Sequence, residues 1–476
     1  MRPYPSYKDS EVEWIGEIPS GWARKKLGYI VNLQGRIGYK GYKKTDFVDE
    51  GEGCLVLGGK HINSSQKIDL SNPDFLSWDK YYESPEIMVK KGDMIISQRG
   101  SLGKVVFIDE DYGEMTINPS LVLVNQIKEN PIFLWYYLQS NHIFTQINLI
   151  GSITTIPMLS QEEISTFQFL IPPKREQIQI VSFLDHKTQK IDELIEKTEK
   201  KIELLKEKRT ALINHCVTKG LNPPACLPAL REQAGSRTDE RAGRNVEMKD
   251  SGVKWIGEIP SGWTISKLKY DTLIPVRYGL NISSDRYTEN GVRFIRITDL
   301  DDCGELNPDN GKYLIESDVD VEFLLDKYDL LLCRSGHTVG KSYLHLQDGM
   351  YSSGGYLVRF NFGDYFSSKF VFYTTKTDFY LYWIRLNTIT STIENVNGEK
   401  YSNMVYPKPT NTEQHQIVEY LDEQTQKIDT TIEKETQRIE LLKEYRQSLI
   451  SEVVTGKIDV RGYNSTVLVE GETQSR

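Results

Sequence analysis

The chain has 476 residues, enough for two or three domains with cores of their own. A hydrophobic content of 38% and a charged content of 26% match a water-soluble globular protein. No apolar run reaches membrane-span length, PIFLWYYL at 131–138 being the longest candidate, and the opening MRPYPSYKDSEVE lacks a signal-peptide core. Five cysteines without a CxxC pair point away from zinc and disulfide frameworks and towards a reducing, cytoplasmic setting; the net charge of −9 argues mildly against nucleic acid but can hide a local basic face.

Near the start of the chain stands KDSEVEWIGEIPSGW (Lys8–Trp22), which returns as KDSGVKWIGEIPSGW (Lys249–Trp263) with 13 of 15 positions identical. Such a match marks an internal duplication. Ala23 to Thr45 then carries seven basic residues and no acid, with Tyr29, Tyr39 and Tyr42 interleaved. Arg36, Lys40, Lys43 and Lys44 of this run, with Lys60 beyond it, are candidate contacts to DNA, because Lys and Arg neutralise phosphates and Arg also reads base edges. A solvated basic face is the alternative.

Short apolar runs broken by Gly, Asn and Asp follow: GCLVLGGK, DMIISQRG and SLVLV. They predict strands, and a helix is expected over 131–147. The loop RGSLGK (99–104) places Arg99, Ser101 and Lys104 after a strand. Its outline is that of a phosphate cradle, although the spacing excludes a nucleoside-triphosphate P-loop, and a structural turn is the alternative.

From Lys174 there is no Pro or Gly until Gly220, which predicts one long helix. Leu184, Ile191, Leu205 and Leu212 repeat every seven residues, with Ile195 and Ile202 on the second seam position and Thr198 and Arg209 as weak links. A narrow apolar stripe with charged flanks is a coiled-coil pattern. The stretch 221–247, rich in Pro and then polar, reads as a linker.

The second copy repeats the plan. Arg277, Tyr278, Arg286, Arg293 and Arg296 form its Arg-rich run, VRFIRITDL, DLLLCRSG and GYLVRF its strands, and 366–386 its helix. RSGHTVGK (334–341) offers Arg334, His337, Thr338 and Lys341, with Arg suited to guanine and Lys or Thr to backbone oxygens. The second long helix has Leu421, Ile428, Leu442 and Leu449 with Ile432 and Ile439, and Glu435 and Arg446 as its weak links. Matching phase favours pairing of the two helices over separate packing, and closure of a duplicated unit about a pseudo-two-fold axis makes them antiparallel. The fold class is α+β.

No catalytic constellation emerges. NPPA (222–225) lacks the aromatic of an amino-methyltransferase motif, EKK (199–201) has no partner Asp, and seven His lack metal spacing, so neither catalytic nor metal residues are assigned.

The doubled WIGEIPSGW, the IPPKREQ and TEQ helix starts and the paired TQKID helices make the chain similar to the specificity subunit of type I restriction–modification enzymes. The resemblance covers nearly the whole chain. It implies two target recognition domains separated by an antiparallel coiled coil: residues 1–170 as the first, 171–248 as the central helix and linker, 249–408 as the second, 409–476 as the distal helix and tail. Each domain would read half of a bipartite DNA target. The coiled coil, through Ile191, Ile195, Ile202, Leu205, Leu212, Ile428, Ile432, Ile439, Leu442 and Leu449, would set the spacer and help dock two modification subunits. S-adenosylmethionine, ATP and magnesium would belong to modification and restriction partners, not to this chain. An enzyme acting alone would need a cofactor motif, and an adaptor without DNA binding leaves the two divergent Arg-rich domains unexplained.

Overall fold

The computed structural model describes all residues except 1, 13, 37–40, 64–65, 101, 151–157, 222–246, 302, 308, 310, 389–394 and 464–476. Lys40, Ser101 and most of the expected linker therefore lie outside the described residues. The chain divides into two compact units, Met1–Glu199 with Thr436–Arg476, and Lys200–Glu435. Each holds one globular domain and parts of both long helices.

In the first unit, Tyr7–Asp9 and Glu17–Pro19 form a small hairpin, and Ala23–Lys26 pairs with Gln168–Ile171 where the chain leaves the domain. Between them lie two sheets. One is antiparallel, in the order Val105–Phe107, Met94–Ser97, Leu121–Asn125, Asn32–Gly35. The other has five strands and one parallel pair, Gly53–Leu57 with Met115–Ile117. The second unit repeats this plan. Met248–Asp250 pairs with Glu258–Pro260 and Thr264–Lys267 with Val405–Lys408. Its four-stranded sheet runs Arg277–Tyr278, Leu357–Asn361, Asp329–Cys333, Ser342–Leu344, and its second sheet has the parallel pair Val292–Ile295 with Tyr351–Ser353. The central strands are buried on both faces, which is why DLLLC and SLVLV read as continuous apolar runs rather than alternating ones. Each fully buried Leu or Val there contributes roughly 1.5–3 kcal/mol.

The helices expected over 131–147 and 366–386 are each two helices: Pro131–Leu138 with Asn141–Ile150, and Tyr365–Thr374 with Asp378–Asn387. Side chains that compete for backbone hydrogen bonds make the breaks. Ser140 Oγ donates to the Tyr137 carbonyl, and Thr377 Oγ1 donates to that of Thr374 while capping the next helix by accepting from the Tyr380 N–H.

The repeated sequence segments meet in space within each unit. Trp22 Nε1 donates to Glu176 Oε1 at 3.1 Å, and Trp263 Nε1 to Glu413 Oε1 at 3.3 Å. The last Trp of each WIGEIPSGW thus locks onto the first turn of a long helix. One level further along, Tyr136 Oη donates to Asp185 at 2.8 Å and touches Thr188 Oγ1; Tyr373 Oη does the same with Asp422 and Thr425. Every partner in the second set lies 237 positions after its counterpart, as Glu176 does to Glu413. The frame persists in both copies because its residues hold each domain to its helix.

The long helices are Lys174–Lys219 and Asn411–Val454. In the first unit Ile191 and Ile195 share a core with Leu442 and Leu449. In the second, Leu205 and Leu212 share one with Ile428 and Ile432. Ile439 is buried and Ile202 half-buried. Ion pairs fix the direction: Lys201–Glu435 and Arg209–Asp429 (2.9 Å) in the second unit, where rising numbers meet falling ones, and Arg446–Asp192 (2.9 Å) in the first. The pairing is antiparallel. Three of the four weak links, Arg209, Glu435 and Arg446, therefore carry a charge partner on the other helix. Thr198, the fourth, is buried with Oγ1 donating to the Leu194 carbonyl at 2.7 Å. Exposed pairs of this kind contribute about 0–1 kcal/mol each, so the apolar seam carries most of the stability.

Candidate nucleic-acid interface

In the second domain, Arg334 directly follows the buried strand Asp329–Cys333. Its N–H donates to the Tyr356 carbonyl and its own carbonyl accepts from the Val396 N–H, both at 2.9 Å. Its guanidinium carbon lies 4.7 Å from the centre of the Tyr278 ring, and Tyr278 Oη accepts from the Gly398 N–H at 2.9 Å. Arg334 and Arg296 line a cavity of about 880 Å³ with Asn281, Thr298 and Tyr356. The floor depends on close backbone approach: a Cβ at Gly279 would sit 2.0 Å from the Ser353 carbonyl oxygen, and one at Gly355 would sit 2.0 Å from Asn281 Oδ1. Tyr356 is 58% exposed at the rim, and neither it nor Asn281 is signalled in the sequence beyond the Gly-Gly beside Tyr356.

Other sequence-predicted residues of this domain are engaged with carboxylates. Arg296 forks onto Asp299 (Nη2 to Oδ1, 2.6 Å), Arg286 pairs with Asp318 at 2.9 Å, and Arg277 lies 3.7 Å from Glu322. His337 is exposed. Thr338 is not available as a contact: it is buried, and its hydroxyl donates to the Ser335 carbonyl at 3.0 Å.

The Gly-Lys loops are hairpin connections. Strands flank them on both sides (Met94–Ser97 and Val105–Phe107; Asp329–Cys333 and Ser342–Leu344), and glycines at positive φ make the turns: Gly100 +73°, Gly103 +79°, Gly336 +67°, Gly340 +88°. Among the described residues no α-helix begins in either loop, and the second holds only a single 3-10 turn, Gly336–Thr338. The closing lysines serve the fold. Lys104 Nζ donates to the Ile62 carbonyl at 2.7 Å, and Lys341 Nζ to the Leu300 carbonyl at 3.5 Å, in each case bracing the hairpin to the end of a short 3-10 turn (Gly59–His61 and Ile297–Asp299). Both lysine side chains thus make a contact within the fold.

In the first domain Arg36 is held inside the fold. It is 7% exposed, with its guanidinium 3.8 Å from the Tyr42 ring centre and donating to Ser84 Oγ and the Lys80 carbonyl. Lys43 and Lys44 are exposed, Lys60 is exposed and paired with Asp74 at 2.7 Å, and Arg99 is exposed with Nε 3.0 Å from Met158 Sδ. Trp78 and Tyr82, stacked at 6.2 Å and exposed by 39% and 64%, add an aromatic surface that the sequence reading missed. Hydrogen bonding also shifts the match between the loops. Gln98, whose N–H donates to the Ser120 carbonyl and whose carbonyl accepts from the Leu159 N–H, occupies the place of Arg334; Arg99 occupies that of Ser335. Among the described residues there is no group of His, Cys, Asp or Glu placed to hold a metal ion, and no helix is long and apolar enough to cross a membrane.

Each unit thus presents a domain of the same topology, with exposed charged and aromatic side chains, joined to a segment of paired antiparallel helices. Residues 19–204 match the family of the type I restriction modification DNA specificity domain. A chain solved in work on complex assembly and conformational transition of the type I R-M system superposes with a TM-score of 0.59 at 16% identity, covering 93% of this chain and 99% of that one. The HsdS subunit from Thermoanaerobacter tengcongensis gives a TM-score of 0.47 at 16% identity over 93% of this chain and 98% of its own, and the S subunit from M. genitalium 0.38 at 13% over 91% and 96%. Residues 19–204 are thus similar to a DNA specificity domain, and the chain shares its fold with the chain solved in the type I R-M work.

Proposed function

We propose that each domain reads one half of a bipartite duplex DNA target and that the antiparallel helices set the spacer between the halves. One observation carries this reading. The buried frame, Trp–Glu and Tyr–Asp–Thr, is the same in both copies, whereas the residues at corresponding strand ends differ, as Gln98 and Arg334 do. One scaffold thus carries two different readers. Lys43, Lys44, Lys60, Arg99, Arg277, Tyr278, Arg286, Arg296 and His337 are candidates for phosphate and base contacts, the paired ones exchanging a carboxylate for a phosphate on binding.

Two modification subunits dock on the helices in this reading, and restriction subunits complete the complex in the cytoplasm. S-adenosylmethionine, ATP and magnesium reside on those partners. Leu204 and Leu441 support the docking: they occupy equivalent positions in the repeat, are identical, and are 52% and 64% exposed. Gln189 with Gln426 and Lys190 with Lys427 are also identical and exposed. Exposed apolar side chains alike in both copies suit one partner bound twice. The test exchanges residues 23–170 for the same segment of a relative, within the full complex. One half-site should change while the other stays; a change in both halves would overturn the reading.

A further inference from the structure

We propose that Arg334 reads a guanine in the half-site of the second domain, presenting Nη1 and Nη2 to the O6 and N7 acceptors in the major groove. This deepens the DNA-recognition reading above and rests on it. Arg277, Arg286, Arg293, Arg296 and Arg359 all hold carboxylates, whereas Arg334 has no carboxylate partner among the described residues. Its Nε is buried without a hydrogen-bond partner, so the two terminal nitrogens are the donors left for a ligand. Among the described residues no carboxylate lines the cavity it faces.

The residue is also held in place before any ligand arrives. Backbone hydrogen bonds to Tyr356 and Val396 fix the strand end, and the Tyr278 ring, itself tied to Gly398, supports the guanidinium plane. An exposed lysine serves a phosphate as well without such positioning. A planar pair of donors held in a fixed plane suits a planar pair of acceptors, and of the four bases guanine alone offers two acceptors on its major-groove edge. The first domain lacks this device. Gln98 holds the equivalent position, is 9% exposed, and donates Nε2 to the Pro119 carbonyl at 2.8 Å. The assignment is therefore confined to one half-site.

Selection from a randomised duplex pool by the full complex with modification subunits tests this, using the wild type, Arg334→Gln and Arg334→Lys. The wild type should select a G·C pair in the second half-site. In both variants preference at that one pair should fall roughly 5- to 150-fold, with the first half-site unchanged. Lysine keeps the charge but loses the two-donor fork, so its loss of preference points to base reading. If Arg334→Gln loses both half-sites through misfolding, Arg334→Lys decides. Retention of the G·C preference by the lysine variant, or weakening spread evenly over all sequences, would overturn the assignment. A wild type that selects no motif would instead overturn the DNA-recognition reading itself.

Discussion

Replacing Glu176 with alanine tests whether the repeated segments persist because they join domain to helix. Glu176 is 8% exposed and its Oε1 accepts from Trp22 Nε1 at 3.1 Å and from Tyr4 Oη at 2.5 Å. Removing the carboxylate strands two donors, each in a residue less than 10% exposed (Trp22 1%, Tyr4 6%). An unsatisfied buried donor costs about 1–3 kcal/mol, so Glu176→Ala should destabilise the first unit by roughly 2–5 kcal/mol. The second copy provides an internal comparison. Glu413 receives Trp263 alone through Oε1, while Oε2 accepts from the Thr410 N–H in a more exposed position. Glu413→Ala should cost roughly 1–2 kcal/mol. Urea unfolding followed by tryptophan fluorescence, with linear extrapolation, gives both values. Equal losses, or a loss below 1 kcal/mol for Glu176→Ala, would refute the role given to the Trp–Glu joint.

Acid should weaken both units. Burial depresses His142 and His345 to about 4 from the ordinary 6.5, so the unfolded chain takes up these protons first; stability present above pH 6.5 is lost as pH falls towards 4, by at most about 3 kcal/mol per site. Urea unfolding across that range checks the slope, which should shrink in His345→Gln. Leu204→Asp combined with Leu441→Asp should leave helix content by circular dichroism unchanged while weakening modification-subunit binding roughly tenfold per site in calorimetry. A heptad inserted after Thr198 and another after Glu435 keeps the seam in phase and lengthens the pair by about 10 Å. The selected spacer should then grow by about one to three base pairs with weaker binding.

The duplication was legible because identical residues recur in order, and the helix pair because Ile191, Leu205, Ile428 and Leu442 keep one phase. The joints between the repeated segments were not legible. Trp22 and Glu176 lie 154 residues apart, and no local pattern says that they meet. Composition records the charge of Arg36 but not the distant Ser84 and Tyr42 that it meets in the fold. The loop residues misled through length. Backbone pairing joins Ser97 to Lys104 but Cys333 to Lys341, so the second loop is one residue longer; matching by arginine put Arg99 beside Arg334, while hydrogen bonds put Gln98 there. A one-residue shift at a strand end turns a side chain to the other face.

The central claim, that two domains of one chain read two separate DNA sequences, is tested most directly by mapping methylated adenines across the genome of a host that carries this chain with modification subunits. The expected result is one motif of two defined half-sites separated by a fixed stretch of unspecified bases, absent when this chain is deleted. A continuous motif, or methylation that persists unchanged without the chain, would contradict it.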